Sequence, residues 1–259
     1  MSESLNQEAA RLLGEWCGSS GIFPSTDPLV ALLPWLQFRI ALTYREGGSL
    51  VDLGGGVSAA TGVLARLGMQ VTVVDMLDAY YVHSSLHSSV ARQAEFLEKQ
   101  GVRFVQRDLT QYLLTESFAP QSLDVVSSYH VLEHLHQSPR PLLHSAMTVL
   151  KPGGNLVVEV PNAVNLLKRA KVLLGRTNYL PYAGYYESER YYGHVREYCV
   201  SDLIHLARGT GLGSWRIEGR NWYGRLYQVV PSATLARLAD RILQLRPGLC
   251  AALFLVGTK

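Results

Sequence analysis

Between Val51 and Ser58 the chain reads Val-Asp-Leu-Gly-Gly-Gly-Val-Ser. Three consecutive glycines, Gly54, Gly55 and Gly56, let a backbone turn sharply and let a ligand approach it closely. A helix opening after such a turn points its first unpaired N–H groups at ligand oxygens. Asp75 follows at about the 20-residue spacing at which a carboxylate accepts from both hydroxyls of a ribose. Asp108 ends a third apolar run, where its carboxylate can accept from an adenine amino group. A glycine turn by itself fits any nucleotide-binding α/β protein. The two acidic residues at later strand ends narrow it to a nucleoside-type ligand.

A second group has the spacing for proton or metal chemistry. His130, Glu133 and His134 stand at i, i+3 and i+4, and His194 lies in the segment Gly-His-Val-Arg-Glu-Tyr (193–198). Histidine is the usual base near neutral pH, and His194 and His130 rank equally for that role. Glu133 and His134 also read as structural, with Glu133 holding the loop that carries them. A cation shared by His130, Glu133, His134 and His194 would be a transition metal in preference to magnesium, because the set is rich in imidazole. The reading adopted puts no metal here. His83, His87, His144 and His205 fall on predicted helices and read as surface or packing residues.

A third group is aromatic. Of the 14 tyrosines, seven lie within 163–198: Tyr179, Tyr182, Tyr185, Tyr186, Tyr191, Tyr192 and Tyr198. Tyrosine has a flat apolar face and a polar tip, which suits a sugar ring, an aromatic ring or a base. Tyr182, Tyr185, Tyr186, Tyr191, Tyr192 and Arg196 are expected to form a substrate wall, although any one of the tyrosines also reads as glue between this segment and the rest.

These residues need elements to hold them. Short β-branched runs recur at 49–53, 71–75, 102–106, 123–128 and 155–160. Each is apolar through its centre, as strands buried on both faces are. The intervals are long enough for crossover helices, so a doubly wound, mostly parallel α/β sheet of seven strands is expected. Two helices, 4–17 and 28–44, precede it over 1–45. The main domain then runs over 46–259, with residues 163–198 inserted. A helix at 57–68 follows the glycine turn. Within the insertion, 163–175 reads as a basic amphipathic helix with Ala163, Leu166, Leu167, Ala170, Leu173 and Leu174 on one face. Ser201 is expected to cap a helix over 202–209 that ends at Gly211 and Gly213. A helix at 231–245 separates strands at 214–219 and 251–257, the last expected as an antiparallel edge.

The chain has 259 residues, 47% of them hydrophobic and 17% charged. This is enough to bury a large core, and it excludes disordered and collagen-like classes. Its net charge of +3 conceals an asymmetry: residues 1–162 hold 10 Lys/Arg against 15 Asp/Glu, and residues 163–259 hold 14 against 6. The basic part begins with the segment 163–198, so a ligand bound there, or whatever carries it, is expected to be anionic. Three scattered cysteines, Cys17, Cys199 and Cys250, make neither a disulfide framework nor a zinc pattern. The acidic, amphipathic N-terminus is unlike a signal peptide. The apolar stretch Pro28–Thr43, interrupted by Pro34, Gln37 and Arg39, is too short and polar for a bilayer of about 30 Å. A cytoplasmic location is expected.

On Asp52, Gly54 and Gly56, with Ser58 in place of a third glycine, the chain resembles the class I S-adenosylmethionine-dependent methyltransferases, small-molecule branch. The likeness continues through Asp75, Asp108, SLDVVSSYHVLEHL (122–135), LKPGGNLVVEVPN (150–162) and GHVREYCVSDLIHLARGTGL (193–212), and covers about 48–259. A Rossmann dehydrogenase would need glycine where Ala59 stands. The resemblance implies S-adenosylmethionine held by Asp52, Gly54, Gly55, Gly56, Ser58, Asp75, Met76, Asp108, Leu109 and Tyr129. The resemblance also implies a lid role for the N-terminal helices of 1–45 and a cap role for residues 163–198. It further implies methyl transfer to a small molecule, read here as O-methylation of a sugar or other hydroxyl. N- or C-methylation, methylation of an RNA base, and an inactive cofactor-binding module are the alternatives. Some family members bind a divalent ion with Glu-x-x-Glu-His, but His130 replaces the first Glu. Lys168, Arg169, Lys171 and Arg176 allow contact with a phosphate-bearing substrate or an anionic membrane surface. No nucleic-acid partner is expected.

Overall fold

The computed structural model describes residues 1–19, 23, 29–77, 87–179, 182–187, 191, 193–221 and 233–259. Seven strands form one sheet: β1 Ser49–Leu53, β2 Gln70–Asp75, β3 Val102–Gln106, β4 Leu123–Tyr129, β5 Leu150–Pro161, β6 Ser214–Arg220 and β7 Ala252–Thr258. Their order is β3-β2-β1-β4-β5-β7-β6. The first five are parallel, and β7 runs antiparallel to both β5 and β6. The chain order reverses direction between β1 and β4, the switch point outside whose carboxyl ends open α/β sheets bind ligands.

Alternation along each strand divides the core between the two faces. Leu50, Val125, Val157 and Phe254 meet α1 (Glu3–Gly14), α2 (Leu29–Thr43), α3 (Ala59–Arg66) and α4 (His87–Lys99) through Leu13, Ile40, Val63 and Leu97. Val51, Val126 and Val158 meet α5 (Arg140–Val149) and α8 (Val200–Thr210) on the other face. The N-terminal helices therefore share the main core. Trp35 and Phe38 of α2 pack on Phe254, with ring centroids 4.9 and 5.0 Å apart.

Three expectations are corrected. The last strand is antiparallel but internal, because β6 adds outside it and becomes the edge. Ser201 lies inside α8, whose first turn begins one step earlier: Asp202 accepts from the Cys199 N–H at 2.9 Å, and Gly211 closes the helix at φ 76°. The cap helix is α6 (Leu166–Leu173), shorter than 163–175, with Asn165 as its cap (Lys168 N–H to Oδ1, 3.0 Å). The short α7 (Tyr182–Tyr186) follows it, and α9 (Ala233–Gln244) precedes a tight turn at Pro247–Leu249.

Candidate active site

The glycine turn leaves β1 at the switch point. Gly54 adopts φ 65°, and a Cβ there would stand 2.4 Å from Val131, which crosses from the loop after β4. A Cβ on Gly55 would collide with the Asp52 carboxylate at 2.2 Å. These glycines thus have a packing reason as well as one of ligand approach. Ser58 caps α3, its Oγ accepting from the Ala60 N–H at 3.3 Å.

Asp75 stands at the end of β2 facing this turn. Its Oδ2 accepts from the Gly56 N–H and its Oδ1 from the Leu77 N–H, both at 2.9 Å. A carboxylate has about four acceptor sites, so both oxygens keep capacity for ribose hydroxyls. Asp108, just beyond β3, takes the Thr110 N–H and hydroxyl on Oδ1 at 2.9 and 2.7 Å, leaving Oδ2 for another donor. Met76 and Leu109 follow them, half-buried. The turn, Asp75 and Asp108 converge on one sheet edge, as the adenosyl half of S-adenosylmethionine requires. Asp52 is different. It is buried beneath the turn and accepts from the Ser127 hydroxyl at 2.7 Å. Burial pushes its carboxyl up to about 6, against the opposing pull of Ser127 and Arg39.

The loop after β4 carries the second cluster. His130 has φ 57°, and its N–H donates to the Glu159 carbonyl at 3.1 Å. Its ring is clamped at both nitrogens: Nδ1 lies 3.0 Å from Glu133 Oε1 and Nε2 lies 2.5 Å from Glu159 Oε1. Burial works against its charge, but Glu159 and Glu133 together bring its pKa up to about 9. His130 is therefore a structural imidazolium. Glu159 is fully buried in β5 and also accepts from Arg39 of α2, at 2.9 and 3.1 Å. The Arg39 guanidinium lies 4.3 Å from the ring centre of Tyr129, a buried residue at the end of β4.

His194 is held otherwise. Its Nδ1 pairs with Glu197 at 2.9 Å, and Nε2 lies 4.0 Å from Glu133. Burial pulls its pKa below the ordinary histidine value, Glu133 opposing. Glu197 is itself gripped by Lys168 of α6. The Glu133 carbonyl accepts from the N–H groups of Val195 and Arg196 at 2.7 and 3.2 Å, which pins the cap segment to the loop after β4. His134 Nδ1 is paired with the Gly193 carbonyl at 3.2 Å. Single ligand-type atoms of Glu133, His134 and His194 lie within 4.8 Å of one another, a spacing that a divalent cation could bridge.

A cavity of about 320 Å³ is lined by Ala163, Asn178, Tyr179, His194, Val195, Arg196 and Glu197. Arg196 is thus on its wall, with Tyr179 as its aromatic. Tyr182, Tyr185 and Tyr186 stand exposed on α7, with Tyr182 stacked on Tyr186 (5.7 Å) and Tyr185 edge-on to Tyr191 (5.1 Å). Tyr192 lies outside the described residues, as does His83. Tyr198 is buried and donates to the Leu132 carbonyl at 3.3 Å. His144 and His205 are exposed.

Sequence reasoning missed Arg39, Glu159 and Glu197 as site residues. A signal existed for the first two: each is a lone charge inside an apolar run, and a buried charge requires a partner.

A family model described as a methyltransferase domain matches residues 31–241. Ubiquinone biosynthesis O-methyltransferase of Xanthomonas campestris pv. campestris (strain B100) is 28% identical over 154 residues, 59% of this chain and 59% of that protein. The same-named protein of Stutzerimonas stutzeri is 28% identical over 128 residues, 49% of each chain. The chain thus matches about half the length of these relatives. Among solved structures, a SAM-dependent methyltransferase of Thermotoga maritima superposes with a TM-score of 0.57 at 18% identity, covering 98% of this chain and 99% of that one. Phosphoethanolamine N-methyltransferase 2 of Haemonchus contortus, in complex with S-adenosyl-L-methionine, gives 0.51 at 19% identity over 90% of this chain and 52% of that one. At such identities the structures establish a shared fold. The family match spans most of the chain and includes the glycine turn, Asp75 and the loop after β4; the chain belongs to the S-adenosylmethionine-dependent methyltransferases of the class I fold.

Proposed function

We propose that the enzyme methylates a hydroxyl oxygen of a small molecule bound in the cavity beside His194, and that His194 is the base. The carrying observation is the asymmetry of the two histidines. Both ring nitrogens of His130 are occupied by carboxylates. Among the described residues, His194 has a hydrogen bond at Nδ1 alone, to Glu197, and it lines the cavity. Nδ1–H donating to Glu197 fixes the tautomer that leaves the Nε2 lone pair available.

When bound, the cofactor supplies an activated methyl on a sulfonium, so the chain has to align the acceptor and remove its proton. Asp75 and Asp108 hold the adenosyl half. Arg196 orients the acceptor, and the cap tyrosines Tyr182, Tyr185, Tyr186, Tyr191 and Tyr192 supply flat surface around it. His194 Nε2 takes the hydroxyl proton, and Glu197 and Glu133 stabilise the imidazolium that forms. The names of the curated relatives favour oxygen over nitrogen or carbon. A sugar hydroxyl, free or on an anionic carrier, remains the finer reading.

The test incubates a cell extract with enzyme and methyl-labelled S-adenosylmethionine and identifies the labelled product by mass spectrometry. A labelled methyl ether supports the reading. Label on nitrogen or carbon overturns it. The same assay with chelator separates base from cation: activity is retained if His194 acts as base, and loss restored by a divalent ion replaces that role.

A further inference from the structure

Two helices present apolar stripes to solvent. No side chain of α6 is buried. Leu166 and Leu167 are exposed at its start, and Leu173 and Leu174 at its end are 87% and 75% exposed. A two-turn helix is unstable in isolation, and helices ordinarily gain their stability by burying an apolar face. On α9 and just beyond it, Leu238, Ile242 and Leu245 are exposed, Leu245 at 81%. Their spacing of four and three residues puts them on one face.

α6 is joined to the turn that follows α9. Arg169 of α6 donates to the Gly248 carbonyl at 3.3 Å, and Asn162 donates to the same oxygen at 3.0 Å. Gly248 lies in the turn that follows α9. Exposed apolar surface on this scale marks a binding face.

Charge selects the occupant. Lys168, Arg169, Lys171 and Arg176 occur between 163 and 186 without an acidic residue. Lys168 is paired with Glu197 and Arg169 turns to the Val164 and Gly248 carbonyls, so the cations this set offers to a surface are the exposed Lys171 and Arg176. Arg241 and Arg246 flank the α9 stripe, while Asp240 is held by Asn221 and Gln244. A two-fold contact between copies would set this basic set against itself. Basic residues interleaved with leucines match an anionic bilayer surface, which takes apolar side chains into its interface and cations at its headgroups.

We infer that α6 and α9 together dock the enzyme on an anionic phospholipid surface. No described helix is long and apolar enough to cross a membrane, so the contact lies in the interface plane. Ala163 before α6 and Asn178 and Tyr179 after it line the acceptor cavity. Docking brings that cavity beside the lipid, so an acceptor anchored in the leaflet can present its hydroxyl without leaving it. This consequence rests on the acceptor site proposed above; the docking does not.

The test is flotation of the full chain with phosphatidylglycerol–phosphatidylcholine vesicles and with phosphatidylcholine vesicles. At least tenfold stronger partition onto the anionic vesicles is expected, weakened by 0.5 M salt and not competed by soluble glycerol phosphate. Leu173→Gln/Leu174→Gln and Ile242→Gln/Leu245→Gln should each lower partition at least tenfold while cofactor binding and the thermal midpoint hold. Equal partition onto both vesicle types, competition by glycerol phosphate, or unchanged binding of both variants overturns the inference. So does a dimer in sedimentation that either variant dissociates, with no vesicle binding. Loss of vesicle binding with methylation of a soluble acceptor intact sinks only the docking. Vesicle binding without methyl transfer sinks only the acceptor reading.

Discussion

At the turn after β1, carboxylates accept from the backbone: Asp75 takes N–H groups of Gly56 and Leu77, and Asp108 takes that of Thr110. Around the loop after β4, carboxylates are engaged by side chains: Glu159 lies between Arg39 and His130, and Glu197 between Lys168 and the Nδ1 of His194. A backbone donor is neutral and fixed in place, so Asp75 keeps spare acceptor capacity for a ligand. A cationic partner uses that capacity, so Glu159 shapes the site without being able to serve a ligand. One edge of one sheet thus carries a region held by main chain, where the cofactor is proposed to bind, and a region held by ion pairs, where the base is proposed.

If the division holds, mutations in the two regions separate cofactor binding from turnover. The largest effect is expected for His194→Ala, which should lower kcat about 10²–10⁴-fold with cofactor affinity unchanged by calorimetry. Asp75→Ala should do the reverse, raising the cofactor Kd while the thermal midpoint without ligand moves little. A His194→Ala variant with full turnover across pH removes the base. Next comes Glu159→Gln, which leaves the Arg39 and His130 charges without their buried anion. Breaking a buried pair costs about 3–5 kcal/mol, readable in denaturant unfolding. A loss below about 1 kcal/mol would mean that α2 is not fastened to the site through this pair.

The two regions were unequally legible in the sequence. Five strands and the glycine turn could be read because their signals are local: β-branched runs apolar through the centre, and glycines next to an acidic residue. The ranking of His130 and His194 could not, because it depends on partners far along the chain. Arg39 and Glu159 are 120 residues apart, and no spacing rule joins them. The position of the last strand was equally hidden. Its apolar content shows burial, but internal and edge placement differ only in whether β6 adds outside it. Ser201 was preferred as a cap because serine caps helices well, yet the Asp202 carboxylate moved the boundary back to Cys199.

Acidity sharpens the comparison further, since each region holds a group displaced upward into the range of ordinary pH. The folded pKa of His130, about 9, exceeds the unfolded value of about 6.5. Its stabilising contribution is complete below pH 6.5 and is lost as pH rises towards 9. Asp52 is also raised, to about 6 from 3.8. Between those values the folded state holds the proton more tightly, so stability falls as pH rises from about 4 to 6. Unfolding free energy should therefore decline in two separate steps. His130→Gln should remove the upper step and Asp52→Asn the lower. If one variant removes both steps, the two regions titrate as one network.

The smallest effects are expected in the cap, and they test whether its tyrosines bind or merely pack. Tyr182 and Tyr186 are exposed and stacked. Exposed side chains outside such features change stability by no more than about 0.5 kcal/mol, and an aromatic pair adds about 0.5–1.5 kcal/mol. Tyr182→Ala should therefore lower the thermal midpoint by a few degrees, about 2–4 °C per kcal/mol, and leave cofactor affinity alone. If the ring forms part of the acceptor wall, the acceptor KM rises several-fold with kcat held, the mark of binding lost equally from ground state and transition state. If it is only packing, neither constant moves. Tyr179 supplies the internal control, because it lines the cavity beside His194. A KM change in Tyr179→Ala without one in Tyr182→Ala would confine the acceptor to that cavity.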